Sequence, residues 1–327
     1  MKKIIVILGL VIACTAVFSQ TGVQQQPPEP QPGKPIVIPT RYDEHRFIAT
    51  PVTADNSTMS LFTDSAGQLF LYEDAITRLH FSTETVDGTK LVALPNFKPD
   101  KMIPQALGKG DPRFFIRTSP DGDFGKLHAN DDGFLGQQWF AGRVWTFDYP
   151  NKTLLWRAAN DLPQHDKDHE VKLGFKTAPS GRRQQNYARI QIEVAGETID
   201  LLLDTGASNL LSESALKQIG DGRPALRATS FLTQSVFEKW KKAHPDWRVL
   251  ENIKALTGDA MIEVPKVKIA GFTVGPVWFT VQSDESIHKA MDSLMDKPPQ
   301  GALGGSALHY LRVTVDWPNA IAVFEHP

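Results

Sequence analysis

Along most of the chain, apolar residues come in short runs closed by Gly, Pro, Asn or Asp, the pattern of β-strands separated by turns. Residues 47–52, 90–94, 114–117, 144–147, 190–194, 198–203, 267–269 and 278–281 are such runs. Helical spacing is rarer. Residues 231–243 place Leu232, Val236 and Trp240 four apart before Pro245, and residues 286–295 gather Ile287, Met291, Leu294 and Met295 on one face. The pattern predicts a mainly β protein with a few helices.

The pattern also repeats. Residues 133–151 and 301–319 align without a gap at an offset of 168, with seven identities in nineteen positions. The identities include Gly133/Gly301, Gly136/Gly304, Thr146/Thr314, Asp148/Asp316 and Asn151/Asn319. Each block reads as a glycine turn, a short helix, a strand and a turn of the form Asp-aromatic-Pro-Asn. Residues 46–76 match residues 186–216 more loosely at an offset of 140, placing Asp64 on Asp204, Ser65 on Thr205 and Ala75 on Ala215. The change of offset, 28, reads as an insertion in the second copy that carries the helix at 231–243. Two matches in the same order predict two homologous halves.

The N-terminus has a different pattern. Lys2 and Lys3 precede an unbroken apolar run, residues 4–13, shorter than the roughly 20 residues of a membrane-spanning helix and suited to an export signal. Two processing readings stay open. Cleavage after Ser19 releases a soluble protein, the favoured reading. Alternatively, Val11-Ile12-Ala13-Cys14 acts as a lipobox and Cys14 becomes a lipidated N-terminus. Residues 20–40, rich in Gln and Pro, read as an extended spacer outside the fold. The expected division is signal 1–19, spacer 20–40, a divergent first lobe 41–158, a linker 159–184 and a second lobe 185–327. The expected location is periplasmic or secreted, with lipid anchoring through Cys14 as the alternative.

Composition narrows the chemistry. A net charge of −2 gives no footprint for nucleic acid, and a single cysteine excludes an internal disulfide and a dithiol centre. His165 and His169 are spaced like metal ligands but lie in a charged stretch that reads as solvated linker. Five tryptophans, 139, 145, 156, 278 and 317, fall on strands or turns and read as core rather than as a carbohydrate platform. Ser306 lacks the G-x-S-x-G elbow of a serine hydrolase.

The sharpest motif is Leu201-Leu202-Leu203-Asp204-Thr205-Gly206-Ala207-Ser208, an apolar strand entering an Asp-Thr-Gly loop. With the later Ala302-Leu303-Gly304-Gly305 and Val313-Thr314-Val315-Asp316, it resembles the aspartic proteases of the retropepsin and pepsin type. The resemblance is good over about residues 186–327 and weaker over 46–156. It implies a bilobal acid-protease fold: two homologous retropepsin-like closed β-barrel lobes about a pseudo-twofold axis. It implies an aspartic endopeptidase with Asp204 and Asp64 as catalytic pair, supported by Thr205, Gly206, Ala207 and Ser65. Two carboxylates a hydrogen bond apart share one proton, so one can take a proton from water while the other polarises the amide. That chemistry needs no metal and no cofactor. The expected partner is a peptide or protein substrate, with no nucleic acid and no membrane contact beyond a lipid anchor.

The first loop, Asp64-Ser65-Ala66-Gly67, departs from the family pattern, with alanine where the family has glycine. Three arrangements remain open: a working Asp64/Asp204 pair in a monomer, which is favoured; an inactive peptide-binding protein; and a homodimer pairing Asp204 with Asp204. Hairpin flaps are expected at Gly88 in the first half and Gly258 in the second.

Overall fold

The computed structural model describes residues 26–107, 113–255 and 258–326. The proposed signal and Cys14 lie outside the described residues. Among those described, no helix is long and apolar enough to cross a membrane.

The chain is mainly β, as the short apolar runs predict. One eight-stranded sheet runs, edge to edge, through Thr40–Asp43, Arg46–Ala49, Leu61–Thr63, Gly133–Leu135, Phe70–Tyr72, Phe114–Arg117, Thr89–Val92 and Thr83–Val86. A nine-stranded sheet runs through Arg248–Ala255, Gly258–Val264, Val277–Gln282, Ser230–Thr233, Gly301–Leu303, Glu197–Leu203, Arg189–Val194, Val267–Ile269 and Phe272–Val274. Among the described residues both sheets are open. The expected closed barrels are therefore corrected: the outermost strands do not pair with each other, so neither sheet closes on itself.

From Arg46–Ala49 to Thr83–Val86, seven strands of the first sheet follow the order of seven in the second, from Arg189–Val194 to Arg248–Ala255. Relative directions agree as well. Leu61–Thr63 is parallel to Gly133–Leu135, as Glu197–Leu203 is to Gly301–Leu303, and the next pair is antiparallel in both. Register relocates the insertion. Phe70 faces Phe134 as Phe231 faces Ala302, an offset of 161, so 21 of the 28 added residues precede this strand. They form Ser208–Leu210, the helix Glu213–Ile219 and Leu226–Ala228. The matching of Ala75 with Ala215 is thereby corrected. The helix expected over 231–243 is a strand, Ser230–Thr233, followed by a helix, Gln234–Ala243. The first half has a shorter helix, Glu73–Arg78, at the same point.

A six-stranded sheet joins the halves: Ile36–Val37, Thr153–Arg157, Val144–Asp148, Arg312–Asp316, Ile321–Glu325 and Glu170–Lys172. Two of these strands come from segments read as spacer and linker. Ile36–Val37 pairs with Thr153–Arg157, and Ile38 is buried in the core. At the centre Thr146 faces Thr314 across an antiparallel pair, and their hydroxyls are 2.7 Å apart. The repeated Asp-aromatic-Pro-Asn turn is a structural device. Asp148 accepts from the backbone and side-chain nitrogens of Asn151 at 3.1 and 3.0 Å, and Asp316 does the same from Asn319 at 3.0 and 2.8 Å.

The tryptophans of the repeat blocks belong to the core. Trp139, Trp145 and Trp317 are fully buried, and the Trp139 and Trp145 indoles donate to Pro104 O and Phe140 O. His165 bonds Glu170, and His169 lies 2.8 Å from Ala270 O while stacking on Phe272, so each has local partners.

Candidate active site

Each Asp loop leaves the buried end of a strand. Leu61, Phe62 and Thr63 precede Asp64, and Leu201, Leu202 and Leu203 precede Asp204. The neighbouring parallel strand holds each loop from below: Asp64 N donates to Leu135 O at 3.1 Å and Asp204 N to Leu303 O at 3.0 Å. Each loop then folds onto its own carboxylate, with Ala66 N donating to Asp64 Oδ1 at 2.8 Å and Gly206 N to Asp204 Oδ1 at 3.1 Å. Alanine in place of glycine at 66 thus leaves this bond intact, and Ala66 packs toward Tyr187, Leu202, Met295 and Ala302.

Hydroxyls cross-link the loops. Ser65 Oγ donates to Leu203 O at 2.7 Å and accepts from Thr205 N at 3.0 Å, while Thr205 Oγ1 accepts from Ser65 N at 3.1 Å. These groups are buried, so each bond satisfies an atom that water cannot reach. The link brings the two loops against each other: Gly206, whose N donates to Asp204 Oδ1, lies so close to Asp64 that a Cβ on it would be 2.5 Å from Asp64 Cγ. Gly67 is constrained likewise, since its Cβ would lie 2.7 Å from Asp64 Oδ2. Ala207 completes the second loop, its N donating to Asp204 O at 3.3 Å.

The pair is electrostatically unequal. Burial raises Asp64 above its ordinary value, opposed by the bonds from Ala66 N and Asp204 and by the nearby His128. Burial raises Asp204 further, well above the carboxylate range, and the charge of Asp64 adds to the shift. Both carboxyls are thus pushed toward holding a proton, and the titration belongs to the pair. Both residues keep part of their surface open to solvent.

The glycines expected in flaps are not brought against the carboxyls. Gly88 forms the tip of a hairpin with Asp87, at φ of 78° and 48°, and a Cβ on it would meet open space. Gly258 lies flat against its own sheet, where a Cβ would be 2.0 Å from Val281 O, and the adjoining turn at 256–257 is outside the described residues. Ser306, set aside as a nucleophile, donates to Trp278 O at 2.9 Å.

Sequence reasoning missed His128, whose charge acts on Asp64. His128 is buried against Phe62 and Phe134 and bonds Asp131 at 2.9 Å. No local pattern marks it, because His128 meets Phe62 and Phe134 only through the fold.

No family model matches the chain, and no curated protein does. Among solved structures, a crystal structure of an aspartic proteinase from Irpex lacteus aligns with 89% of this chain and 96% of its own, at 12% identity and a TM-score of 0.47.

Proposed function

We propose that the chain is an exported aspartic endopeptidase, with Asp64 and Asp204 as its catalytic pair. The observation that carries the reading is the meeting of two Asp loops of one chain, with Gly206 packed on the Asp64 carboxyl and hydroxyls crossing between the loops. In the ground state Asp64 is ionised and Asp204 protonated. Asp64 takes a proton from a water molecule whose oxygen attacks the peptide carbonyl carbon. Asp204 donates its proton to the carbonyl oxygen as that oxygen gains charge, giving a neutral gem-diol. The proton on Asp64 then passes to the amide nitrogen, the C–N bond breaks, and a diol proton returns to Asp204. Atoms balance without a metal or cofactor.

The contact within one chain favours the monomer over an Asp204/Asp204 homodimer. The common strand order of the two large sheets, and the Thr146–Thr314 contact between them, support reading them as duplicated lobes about a pseudo-twofold axis. Export rests on Lys2, Lys3 and the apolar run after them. N-terminal sequencing of the mature protein separates cleavage after Ser19 from a blocked, lipidated Cys14.

The function is tested by peptide cleavage in the presence of a chelator and of serine and cysteine reagents. Turnover should persist there and vanish in Asp204→Asn. An inactive binding protein would hold peptide in both forms and cleave it in neither.

A further inference from the structure

The turn between Thr40–Asp43 and Arg46–Ala49 belongs to the first half but docks on the second. Glu44 O accepts from Ala228 N at 3.0 Å, and the Glu44 carboxylate accepts from Arg223 Nε and Nη2 at 2.9 and 2.6 Å. His45 O fits so closely that a Cβ on Gly305 would lie 2.5 Å from it. The His45 ring lies flat on that of His309, which follows the short helix Gly305–Leu308, with 4.0 Å between centroids and 19° between planes. The docked turn thus touches both segments that brace the Asp204 loop. Thr229, next to Ala228, donates its N to Ala207 O at 2.9 Å. Gly304, next to Gly305, is where a Cβ would lie 2.6 Å from Ala207 Cβ and 3.2 Å from Asp204 O.

Stacked imidazoles are stable neutral and repel once charged. The surroundings add to the repulsion. Arg223 and Arg227 act on His45 from the added segment of the second half, and Lys152 from the turn after Val144–Asp148. The acids of the added segment and the turn are already engaged, Glu44 with Arg223 at 2.6 Å and Asp221 with Arg227 at 2.5 Å. Glu263 lines the same cavity as the two rings, and Arg248 stands opposite it on the neighbouring strand. Tyr42 Oη is 3.0 Å from His45 Nδ1, and the Tyr310 ring packs on His309 at 3.9 Å. Burial raises both phenols, so they stay neutral. Burial, then His309, Arg223, Lys152 and Arg227, push His45 down to about 3. Burial also lowers His309, against its Nδ1–H bond to Gly305 O at 3.0 Å, and Arg223 lowers it further. Both rings are therefore neutral while docked. A released ring returns toward about 6.5 and binds a proton more readily, so docking is complete above that value and weakens as pH falls below it.

We infer that the His45–His309 stack is an acid-released clasp between the halves: a proton on either ring parts the turn at 44–45 from the second half and slackens the two segments that brace the Asp204 loop. Each titrating ring favours release by up to about tenfold per pH unit below its ordinary value. The consequence for turnover, a reversible loss in acid, rests on the peptidase reading. The clasp itself does not, since it is a property of the docked turn.

The test is hydrogen exchange of the full chain at neutral pH and about two units below the ordinary histidine value, corrected for the intrinsic rate. In acid the parent should lose protection roughly ten- to a hundredfold in residues 40–49 and 224–232, while residues 144–148 and 312–316 keep theirs. The double variant His45→Asn with His309→Phe should show the same protection at both pH values. Asparagine suits the left-handed backbone at 45, where φ is 66°, and phenylalanine keeps a ring that stacks and cannot charge. His309→Phe alone should fall between. The same acid loss in parent and double variant overturns the clasp. So does a parent that keeps both segments protected in acid, or loses protection equally in all four, and these results need no variant. Peptide cleavage separates the two claims. Selective acid release in a chain without Asp204-dependent cleavage removes the peptidase reading and leaves the clasp. Asp204-dependent cleavage by a parent that keeps both segments protected does the reverse.

Discussion

The loops carrying Asp64 and Asp204 make the same backbone hydrogen bonds in unequal surroundings. The Asp64 loop passes within six residues to Phe70, the first residue of its next strand. The Asp204 loop is followed by an added strand, helix and strand before Ser230. The Asp204 loop offers Gly206 to the opposite carboxyl, whereas the Asp64 loop turns Ala66 into an apolar cluster of the second half. The lesson is that equivalence of the backbone sets the geometry of the pair, while the neighbours around each loop are free to differ.

The largest effect expected from breaking this comparison is at its tightest contact. Gly206→Ala forces a Cβ into the Asp64 carboxyl, and a displacement of this kind costs at least about a hundredfold in kcat/KM. Ala66→Gly removes a methyl that faces away from the pair, so its kcat/KM should stay within a few-fold of the parent. Steady-state cleavage of one peptide by both variants decides it. Equal losses would mean that the two positions are interchangeable after all.

Next in size is the cross-link. Ser65→Ala deletes one donor and strands Thr205 N in a buried site, which should lower unfolding free energy by about 1–3 kcal/mol. Urea denaturation reads this directly, and an unchanged midpoint would mean that the loops are held by other contacts.

A smaller effect tests the placement of the proton. A carboxyl raised by the fold binds more protons folded than unfolded, so its contribution to stability falls as pH rises through the interval between its unfolded and folded values. Removing that acid should therefore stabilise the protein at neutral pH. Asp204→Asn should raise the melting temperature by a few degrees there, more than Asp64→Asn does, and the gain should fade in acid. Thermal melts at neutral and acidic pH give the comparison. A larger gain for Asp64→Asn would reverse the assignment.

The smallest effect lies where the halves meet. Thr146→Val alone leaves the Thr314 hydroxyl facing a methyl and should cost about 1 kcal/mol, while the double change with Thr314→Val should cost less than the two singles together. Additive losses would show that the two hydroxyls do not interact.

Much of this was legible along the chain because it depends on local order. The Asp loops stand out since an apolar strand, an acid, a hydroxyl and small residues must follow one another there. The repeat could be read because Asp148 and Asp316 build the same turn from the same neighbours. What was not legible depends on partners distant in sequence. Ile36–Val37 looks like spacer because its strand exists only through pairing with Thr153–Arg157. Leu232 keeps helical spacing with Val236 and Trp240, yet it lies between two strands and joins their ladder. The register that separates Ala75 from Ala215 is set by pairing between strands far apart in the chain. The open sheet edges likewise depend on where the outermost strands end in space, which no local pattern specifies.

The most direct test of the central claim is peptide turnover by the parent, Asp64→Asn and Asp204→Asn, measured from acidic to neutral pH. A pair sharing one proton predicts a bell-shaped profile for the parent, falling in acid as both carboxyls protonate and at higher pH as both ionise, with no turnover in either variant. Parent-like turnover in either variant would contradict the pair.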